Sequence, residues 1–330
     1  MLYVASPSTD PYFNLAMEQY LFDTIGQQED IFFLWQNDNA IIIGCNQNAA
    51  AEINAKEVAK IGARLVRRLS GGGAVYHDLG NLNFTFITSA GAGGLDMHRF
   101  CTPVVELLRS LLKEGSVPEI SGRNDILING KKVSGNAQYA KNGRCMHHGS
   151  ILFSSDLEII PVLLTPSAVK MQSKGVASIR SRVTTVAEHL AEHSTLEEFW
   201  EKLKTAVLGE TFVEYSLTDA DTNAINSLAD AVYRTWDWNY GASPRFNMQK
   251  DKRVEGCGTI TVYLEAAGGR IESVTFYGDY FGNRPTTELA ELLKGCRLEE
   301  AAVTEALSEV DLSEYFHGME LVDFVGVLCG

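Results

Sequence analysis

The chain has 330 residues, 45% hydrophobic and 21% charged, which is typical of a globular protein with about two domains of roughly 150 residues each. Its net charge of −14 argues against a general binder of nucleic acids or membrane surfaces, because such proteins need a basic surface. The six cysteines have neither metal-ligand nor disulfide spacing, and the N-terminal residues do not have the pattern of a signal peptide, so we expect a cytoplasmic protein.

The first part of the chain alternates between helical and strand patterns, judged from the spacing of apolar residues and from capping and turn residues. The predicted elements are a helix from Asp10 to about Ile25, strands at 31–35 and 40–44, a helix at 49–62, a strand at 63–68, a helix at 96–115 and a hairpin at 125–138. Asn129-Gly130, a dipeptide typical of two-residue turns, is the predicted turn of this hairpin.

The second part continues these patterns and then changes in composition. The predicted elements are a strand at 145–153, an irregular segment at 169–186, a helix at 194–208, a domain linker at 236–253, a hairpin at 258–282 and helices up to the C-terminus. Ser194 and Glu197 have the spacing of a capping box at the start of the helix, and Gly268-Gly269 is the predicted turn of the second hairpin.

Three consecutive glycines, Gly71 to Gly73, follow the pair Arg67-Arg68. Glycine has no Cβ, so this turn can adopt positive φ and approach a ligand closely, and successive N–H groups in such a turn can bind an anion. Either arginine could add a planar, charged fork. The segment lacks the spacing of Walker and dinucleotide-binding loops. We therefore predict a site for a phosphate or a carboxylate, with an ordinary surface hairpin as the alternative.

The residues after the glycines predict a strand with one polar face. In residues 81–87, apolar side chains alternate with Asn81, Asn83 and Thr85, so the two sets are expected on opposite faces of the strand. A strand face that carries two amides suits the wall of a polar pocket.

Lys131 and Lys132 follow the predicted hairpin turn. Since neighbouring residues of a strand face opposite sides, one lysine is expected in solvent and the other on the opposite face. A lysine ammonium held over a phosphate neutralises charge that develops during phosphoryl transfer. Two surface lysines are an equally good interpretation of this pair taken alone.

Four further residues are candidates, each with a simpler alternative. Asp125 could hold Mg²⁺ through an oxygen ligand, or it could form a turn before the strand. His77 and His148 could bond to a ligand, although packed structural histidines are more common. Arg180, in the irregular segment, could fold over a bound anion or lie in a solvated loop.

Five motifs together resemble the lipoate–protein ligases and occur in the order of that family. They are Arg67–Phe86, Gly122–Ile126 (GRNDI), Lys131–Ala137 (KKVSGNA), His148–Leu152 (HGSIL) and Lys174–Val183 (KGVASIRSRV). The resemblance spans nearly the whole chain, because the residues beyond about 245 are similar to the small accessory domain of the family.

The resemblance implies an α+β fold. A large N-terminal catalytic domain (1–245) would have a mixed β-sheet flanked by helices, as in biotin and lipoate ligases, and a small α/β accessory domain (246–330) would follow. The implied reaction turns lipoic acid and ATP into lipoyl-adenylate (lipoyl-AMP) and pyrophosphate, with Mg²⁺ as cofactor. The lipoyl group then passes to a lysine of an apo lipoyl domain of a 2-oxoacid dehydrogenase complex or of the glycine-cleavage H protein. Neither nucleic acid nor membrane is an expected partner.

Taken position by position, the resemblance makes Lys132 the essential lysine, which contacts both the carboxylate and the α-phosphate. Asp125 matches a magnesium position, and the loop around Lys174–Arg182 resembles a segment that closes over the adenylate. The residues that we predict to bind ATP or lipoyl-adenylate are Arg68, Gly72, Gly73, Ala74, Val75, Tyr76, His77, Asn83, Lys132, His148 and Arg180.

Two other functions stay open. An octanoyl or lipoyl transferase of the same fold moves the acyl group through a cysteine thioester without ATP, and its cysteine precedes the region of the lysine. Here that region, PEISGRNDILINGKK, contains no cysteine, and Cys145 near His147 is a weak candidate. A non-catalytic binder of lipoylated proteins is the other function, and the presence of Lys132, Asp125 and the glycine run argues against it.

Overall fold

The computed structural model describes residues 1–90, 97–122, 124–164, 182–243, 246–278, 280 and 282–329. The chain divides into two compact units. The first unit contains Met1–Cys45 and Ala63–Thr235, and the second contains Asn46–Gly62 and Trp236–Gly330. Within the described ranges, no helix combines the length and the apolar character needed to cross a lipid bilayer.

An eight-stranded mixed sheet is the main structure of the first unit. Its strands are β1 (Leu2–Ala5), β2 (Ile31–Trp35), β6 (Asn81–Ser89), β7 (Pro118–Ser121), β8 (Asp125–Ile128), β9 (Lys131–Lys141), β10 (Arg144–Leu152) and β11 (Val213–Glu214). Their order is β11-β1-β2-β6-β10-β9-β8-β7, in which β1 pairs in parallel with β11 and β2 and all other pairs are antiparallel.

A smaller sheet and the helices complete the first unit. The sheet has the order β4-β3-β5 and consists of β3 (Ala40–Ile43), β4 (Arg64–Arg67) and β5 (Val75–His77). The helices are α1 (Pro11–Asp23), α4 (Met97–Leu111), α5 (Ile160–Leu163), α6 (Leu196–Leu208) and α7 (Asp219–Leu228), with helical turns at Ile25–Gln27, Ala187–His189 and Ala229–Tyr233.

The main hydrophobic core of the first unit lies between the large sheet and helices α4 and α6. From β6, Phe84 and Phe86 are buried in this core together with Phe199 of α6. Because side chains alternate along a strand, Asn83 and Thr85 lie on the opposite face, where they too are almost fully buried. The predicted polar face of this strand is therefore confirmed.

The second unit has a three-stranded antiparallel sheet covered by short helices. The strands are β12 (Phe246–Val254), β13 (Gly258–Ala267) and β14 (Arg270–Gly278), and the helices are α2 (Ala49–Glu52), α3 (Ala55–Ile61), α8 (Thr287–Leu293), α9 (Glu300–Ala306) and α10 (Leu321–Leu328), with helical turns at Asp237–Gly241 and Leu312–Glu314. Alternate residues of the strands, such as Val262 and Phe276, are buried in a separate core with Phe316 and Phe324.

The expected fold class is confirmed, since a large mixed sheet flanked by helices is joined to a smaller α/β unit. Both predicted hairpins turn at the expected dipeptides: φ is 52° at Asn129 and 76° at Gly130, and 57° at Gly268 and 68° at Gly269. Two successive positive φ angles match the twist of the flanking strands. The functional division at residue 245 stays a prediction.

Two predicted elements are wrong. The helix expected at 49–62 is two short helices, because Asn54 accepts a hydrogen bond from the N–H of Glu57 and starts a new helix. The segment 236–253 is not a linker, because most of β12 lies within it. Lysine, arginine and aspartate residues in this strand hide the apolar alternation that would have marked it.

The capping box of α6 lies one residue later than the sequence predicts. The Thr195 side chain accepts from the N–H of Glu198 at 3.2 Å, and the Glu198 carboxylate accepts from the N–H of Thr195 at 2.9 Å. Ser194 precedes the cap and donates to the same carboxylate at 2.9 Å.

We expect Thr195→Ala to lower the free energy of unfolding by about 1 kcal/mol, because the N–H of Glu198 loses its acceptor. Thr195→Ser keeps that acceptor and should leave the free energy nearly unchanged. Urea denaturation of both variants makes the comparison. An equal loss in both would contradict the assignment of the cap.

Candidate functional site

A cavity of about 370 Å³ in the first unit brings together most of the candidate residues. Those that line it are Arg68, Gly72, Gly73, Ala74, Val75, His77, Asn83, Asp125, Lys132 and His148. Tyr76 does not line it, because along β5 it lies on the opposite face from Val75 and His77, and its hydroxyl donates to Asn39 Oδ1 at 3.2 Å. Arg180 lies outside the described residues.

Two buried arginines bind the backbone of the glycine loop (Gly71–Gly73) and of Gly44, which lies beside it. Arg68 donates to the carbonyl oxygens of Gly71 at 2.6 Å and Gly73 at 2.9 Å, and Arg67 donates to that of Gly44 at 3.0 Å. Both guanidinium groups bind backbone carbonyls, so their forks hold the loop backbone in the structure, and a direct contact of Arg68 with a ligand stays a prediction. Burial lowers the pKa of Arg68 to about 10, so this group stays charged at neutral pH and makes the loop electropositive.

Lys132 lines the same cavity and forms an ion pair there. Its Nζ lies 2.7 Å from Oδ1 of Asp125, and each side chain is about one-third exposed. In the pairing of β8 with β9, Asp125 is opposite Gly135. A Cβ on Gly135 would lie 2.7 Å from Lys132 Nζ, so a larger residue there would displace the ammonium group. Lys131 is exposed, as the alternation predicts.

A chain of buried hydrogen bonds connects α1, β10 and the glycine loop. The Glu18 carboxylate accepts from His148 Nδ1 at 2.9 Å and from the Thr85 hydroxyl at 2.6 Å. His148 Nε2 lies 2.6 Å from Ser70 Oγ, which accepts from Arg68 Nε at 3.1 Å. Because a carboxylate only accepts, His148 carries a proton on Nδ1. These hydrogen bonds thereby determine the orientation of the His148 ring, which lines the cavity.

His77 is a second buried histidine on the cavity wall, with 4% of its surface exposed. Its Nδ1 lies 3.2 Å from Nδ2 of Asn37. Burial and the nearby charge of Arg68 lower the pKa of His77 to about 3. The imidazole is therefore neutral at physiological pH.

Cys145 and His147 belong to the core and do not line the cavity. The ring of His147 stacks on Phe100 with a centroid distance of 4.7 Å. Burial raises the pKa of the Cys145 thiol and lowers that of His147 to about 3. A buried, protonated thiol beside a neutral, packed imidazole is unsuited to act as a nucleophile.

Asp125 is the only carboxylate among the described residues that line the cavity. Within the parts of the chain that the structure describes, no group of three His, Cys, Asp or Glu side chains could hold a metal ion. Magnesium is commonly bound by one or two carboxylates together with phosphate oxygens and water. Asp125 therefore suits a magnesium ion that arrives with a phosphate.

Sequence reasoning did not identify Trp35 or Asn37, and it did not place Glu18 in the site. Glu18 gave a usable signal, because a carboxylate in α1 lies between Leu15 and Phe22, which are one turn away on either side and buried. In the sequence, Trp35 cannot be distinguished from the other apolar residues of β2. Asn37 gave no signal, since asparagine is common in turns.

Two family models match the chain. One, described as Lipoyl protein ligase A/B catalytic domain, matches residues 10–208, and the other, described as Bacterial lipoate protein ligase C-terminus, matches residues 243–328. Lipoate-protein ligase LplJ of Bacillus subtilis (strain 168) is 40% identical, and the match covers 99% of this chain and 100% of that protein.

Solved structures share the fold. A bi-partite lipoate protein ligase of Thermoplasma acidophilum, described with its E2 lipoyl domain, has a TM-score of 0.62 and 27% identity over 73% of this chain and 96% of that chain. A lipoate-protein ligase A bound with ATP has a TM-score of 0.59 and 26% identity over 73% of this chain and 98% of that chain. With the catalytic-domain model matching more than half of its length, this chain belongs to the lipoate–protein ligase family.

Proposed function

We propose that this ligase activates lipoate with ATP and attaches it to a lysine of an apo lipoyl domain or of the glycine-cleavage H protein. The observation that carries the proposal is that Lys132 and the glycine loop line one cavity. In the first step a carboxylate oxygen bonds to the α-phosphorus, and the bond from phosphorus to the pyrophosphate oxygen breaks. In the second step the lysine ε-amine bonds to the acyl carbon of lipoyl-AMP, and AMP leaves.

The first step needs a cation, because it brings a carboxylate and a phosphate into contact and the two anions repel each other. The ammonium group of Lys132 would contact both and would stabilise the charge that develops in the transition state. Gly72 and Gly73 let a phosphate approach the backbone closely. Arg68 would contribute a fixed positive charge behind the loop, since its N–H groups already bind carbonyl oxygens.

Asp125 would exchange partners when the substrates bind. In the structure it is paired with Lys132 at 2.7 Å. A phosphate that takes over the ammonium group leaves the carboxylate available for the Mg²⁺ that accompanies a triphosphate. The ion supplies charge neutralisation of phosphate oxygens, and Asp125 would hold it through its carboxylate.

The names of two structural relatives support these substrates. One relative is a lipoate-protein ligase A bound with ATP, and the other is a ligase described with its E2 lipoyl domain. We therefore propose ATP as the nucleotide and lipoyl domains as acceptors of this chain. We also propose that Arg180 contacts the adenylate and that the reaction takes place in the cytoplasm.

A thioester transferase is the less favoured function, because it needs a reactive cysteine at the cavity. None of the described residues that line the cavity is a cysteine. Cys145, the candidate from the sequence, is 7% exposed in the core. A non-catalytic binder would have no use for the Lys132–Asp125 pair beside the glycine loop.

Replacing Lys132 tests its role in the first step. We expect Lys132→Ala to slow lipoate-dependent pyrophosphate release by on the order of 100-fold or more, because the charge between the two anions is lost. Lys131→Ala is the matched control, since its side chain is exposed, and its rate should stay within about twofold. Near-normal release by Lys132→Ala would remove this lysine from the role.

Gly135→Ala tests the position of the ammonium group without removing it. The new Cβ would lie 2.7 Å from Nζ and 2.9 Å from Cε of Lys132, so the flexible side chain moves while the backbone is unaffected. We expect adenylation to fall by about 10-fold or more through misplacement of the amine. The midpoint of urea denaturation should change little.

The control for Gly135→Ala is Gly143→Ala in the turn between β9 and β10. There φ is 74°, which an alanine adopts only with strain, so this variant should lose stability and keep its adenylation rate per folded molecule. If Gly135→Ala lost stability but kept its adenylation rate, and Gly143→Ala lost the rate but kept its stability, the account would be contradicted.

The reaction itself is tested by mixing purified protein, lipoic acid, labelled ATP, Mg²⁺ and an apo lipoyl domain. We expect AMP and lipoylated domain in equal amounts, measured by chromatography and by the mass of the domain. A chelator should stop the reaction, because the triphosphate then lacks its metal ion. Acyl transfer from octanoyl carrier protein without ATP would instead indicate a transferase.

A further inference from the structure

The orientation of two buried amides determines which nitrogen of His77 carries a proton. Asn14 Nδ2 donates to the backbone oxygens of Ser8 at 2.9 Å and Gln36 at 2.6 Å. Because a carbonyl oxygen only accepts, this atom is the amide nitrogen of Asn14. The same nitrogen lies 3.0 Å from Asn37 Oδ1, and because an amide nitrogen cannot accept, the atom of Asn37 that faces it is the oxygen.

With its oxygen facing Asn14, Asn37 presents its amide nitrogen to His77. Asn37 Nδ2 lies 3.2 Å from His77 Nδ1 and donates to it. Nδ1 therefore has no proton, and the neutral ring carries its proton on Nε2. Both asparagines are fully buried, so no solvent competes for these bonds.

The N–H of His77 Nε2 is a buried donor that has no hydrogen-bond partner among the described residues. Asn83, 2% exposed and on the same cavity wall, likewise has one amide atom without a partner within the described ranges. Buried polar groups in native proteins nearly always have a partner, because leaving one unpaired is unfavourable. Two such groups on one cavity wall indicate a polar ligand.

We propose that Asn37 is a positioning residue that locks His77 as a neutral Nε2–H donor to an oxygen of the bound substrate. The inference rests on the proposed function, since that oxygen belongs to the acyl carboxylate or to a phosphate of the nucleotide. Lys132 and Arg68 already supply positive charge to the cavity. The neutral N–H of His77 would orient a substrate oxygen without adding further positive charge to the cavity.

The charged and titratable groups that act on His77 favour this state. Arg68 is a fixed cation and His148 is the neighbouring imidazole, and both oppose a second proton on the ring. Burial acts in the same sense, and together these effects lower the pKa of His77 to about 3. A carboxylate at position 37 would reverse the tautomer, because it accepts from Nδ1–H and so leaves Nε2 of the neutral ring without a proton.

The first measurement reads the tautomer directly. In the full chain labelled with ¹⁵N-histidine, the side-chain ¹⁵N shifts near neutral pH should show a protonated Nε2 and an unprotonated Nδ1 for His77. The signal among the seven histidines is assigned by its loss in His77→Gln. In Asn37→Asp, Nδ1 should gain a proton. A proton on Nδ1 in the wild-type chain would overturn the inference.

The second measurement asks which substrate uses the donor. Calorimetry with lipoate alone and with a non-hydrolysable ATP analogue alone separates the two sources of the oxygen. We expect Asn37→Asp to weaken binding of one of them on the order of 10-fold, because its acceptor oxygen then faces no N–H. Asn226→Asp, on the partly exposed α7, adds the same charge elsewhere and should bind both compounds normally.

A double-mutant cycle separates the hydrogen bond from simple charge repulsion. In the His77→Gln background the glutamine amide can donate by itself, so Asn37→Asp should cost much less than in the wild type. An equal cost in both backgrounds, or no cost for either compound, would overturn the inference. Wild-type protein that binds neither compound would refute the proposed function and the proposed substrate oxygen. The ¹⁵N measurement of the His77 tautomer does not depend on that outcome.

Discussion

The cavity depends on close approaches that only a residue without a Cβ permits. A Cβ on Gly44 would lie 2.3 Å from the carbonyl oxygen of Gly72, and one on Gly149 would lie 2.2 Å from an amide oxygen of β9. A third, on Gly135, would occupy the place of the Lys132 ammonium group. Three strands and the glycine loop therefore meet closely enough for a cation, two histidines and the loop backbone to line one cavity. Gly135 of the KKVSGNA motif, Gly149 of the HGSIL motif and Gly44 thus permit close packing around the cavity, apart from any flexibility they give the backbone.

Charge in this cavity is divided between a fixed and a movable group. Arg68 is buried and bound to the loop, so it sets a positive potential that no substrate has to organise. Lys132 is partly exposed and paired with Asp125, so it can change partners when an anion arrives. The neutral His77 and the Glu18–His148 pair add oriented hydrogen-bonding groups. Such preorganisation suits a reaction that joins two anions, in a chain whose overall charge is −14.

Local patterns predicted the elements around the cavity because each carried its own signal: two glycine-containing turns, an alternating strand and a lysine on the inner face of a hairpin. The arginine contacts with the loop backbone could not be predicted, because a sequence does not show which acceptor a guanidinium group will find, and here backbone carbonyls are nearest. Asn37 was missed because its role arises only when α1 and β5 pack against one turn. The strand β12 was missed because its polar side chains obscure the alternation. Tertiary contacts made the difference for the arginines and for Asn37, whereas β12 was hidden by its own local pattern.

The most direct test of the central claim is a crystal structure of the chain with a non-hydrolysable lipoyl-adenylate analogue. The account predicts that Lys132 Nζ leaves its position 2.7 Å from Asp125 and lies within hydrogen-bond distance of both the acyl oxygen and an oxygen on the phosphorus. An analogue bound elsewhere, or bound here with the Lys132–Asp125 pair still intact, would contradict it.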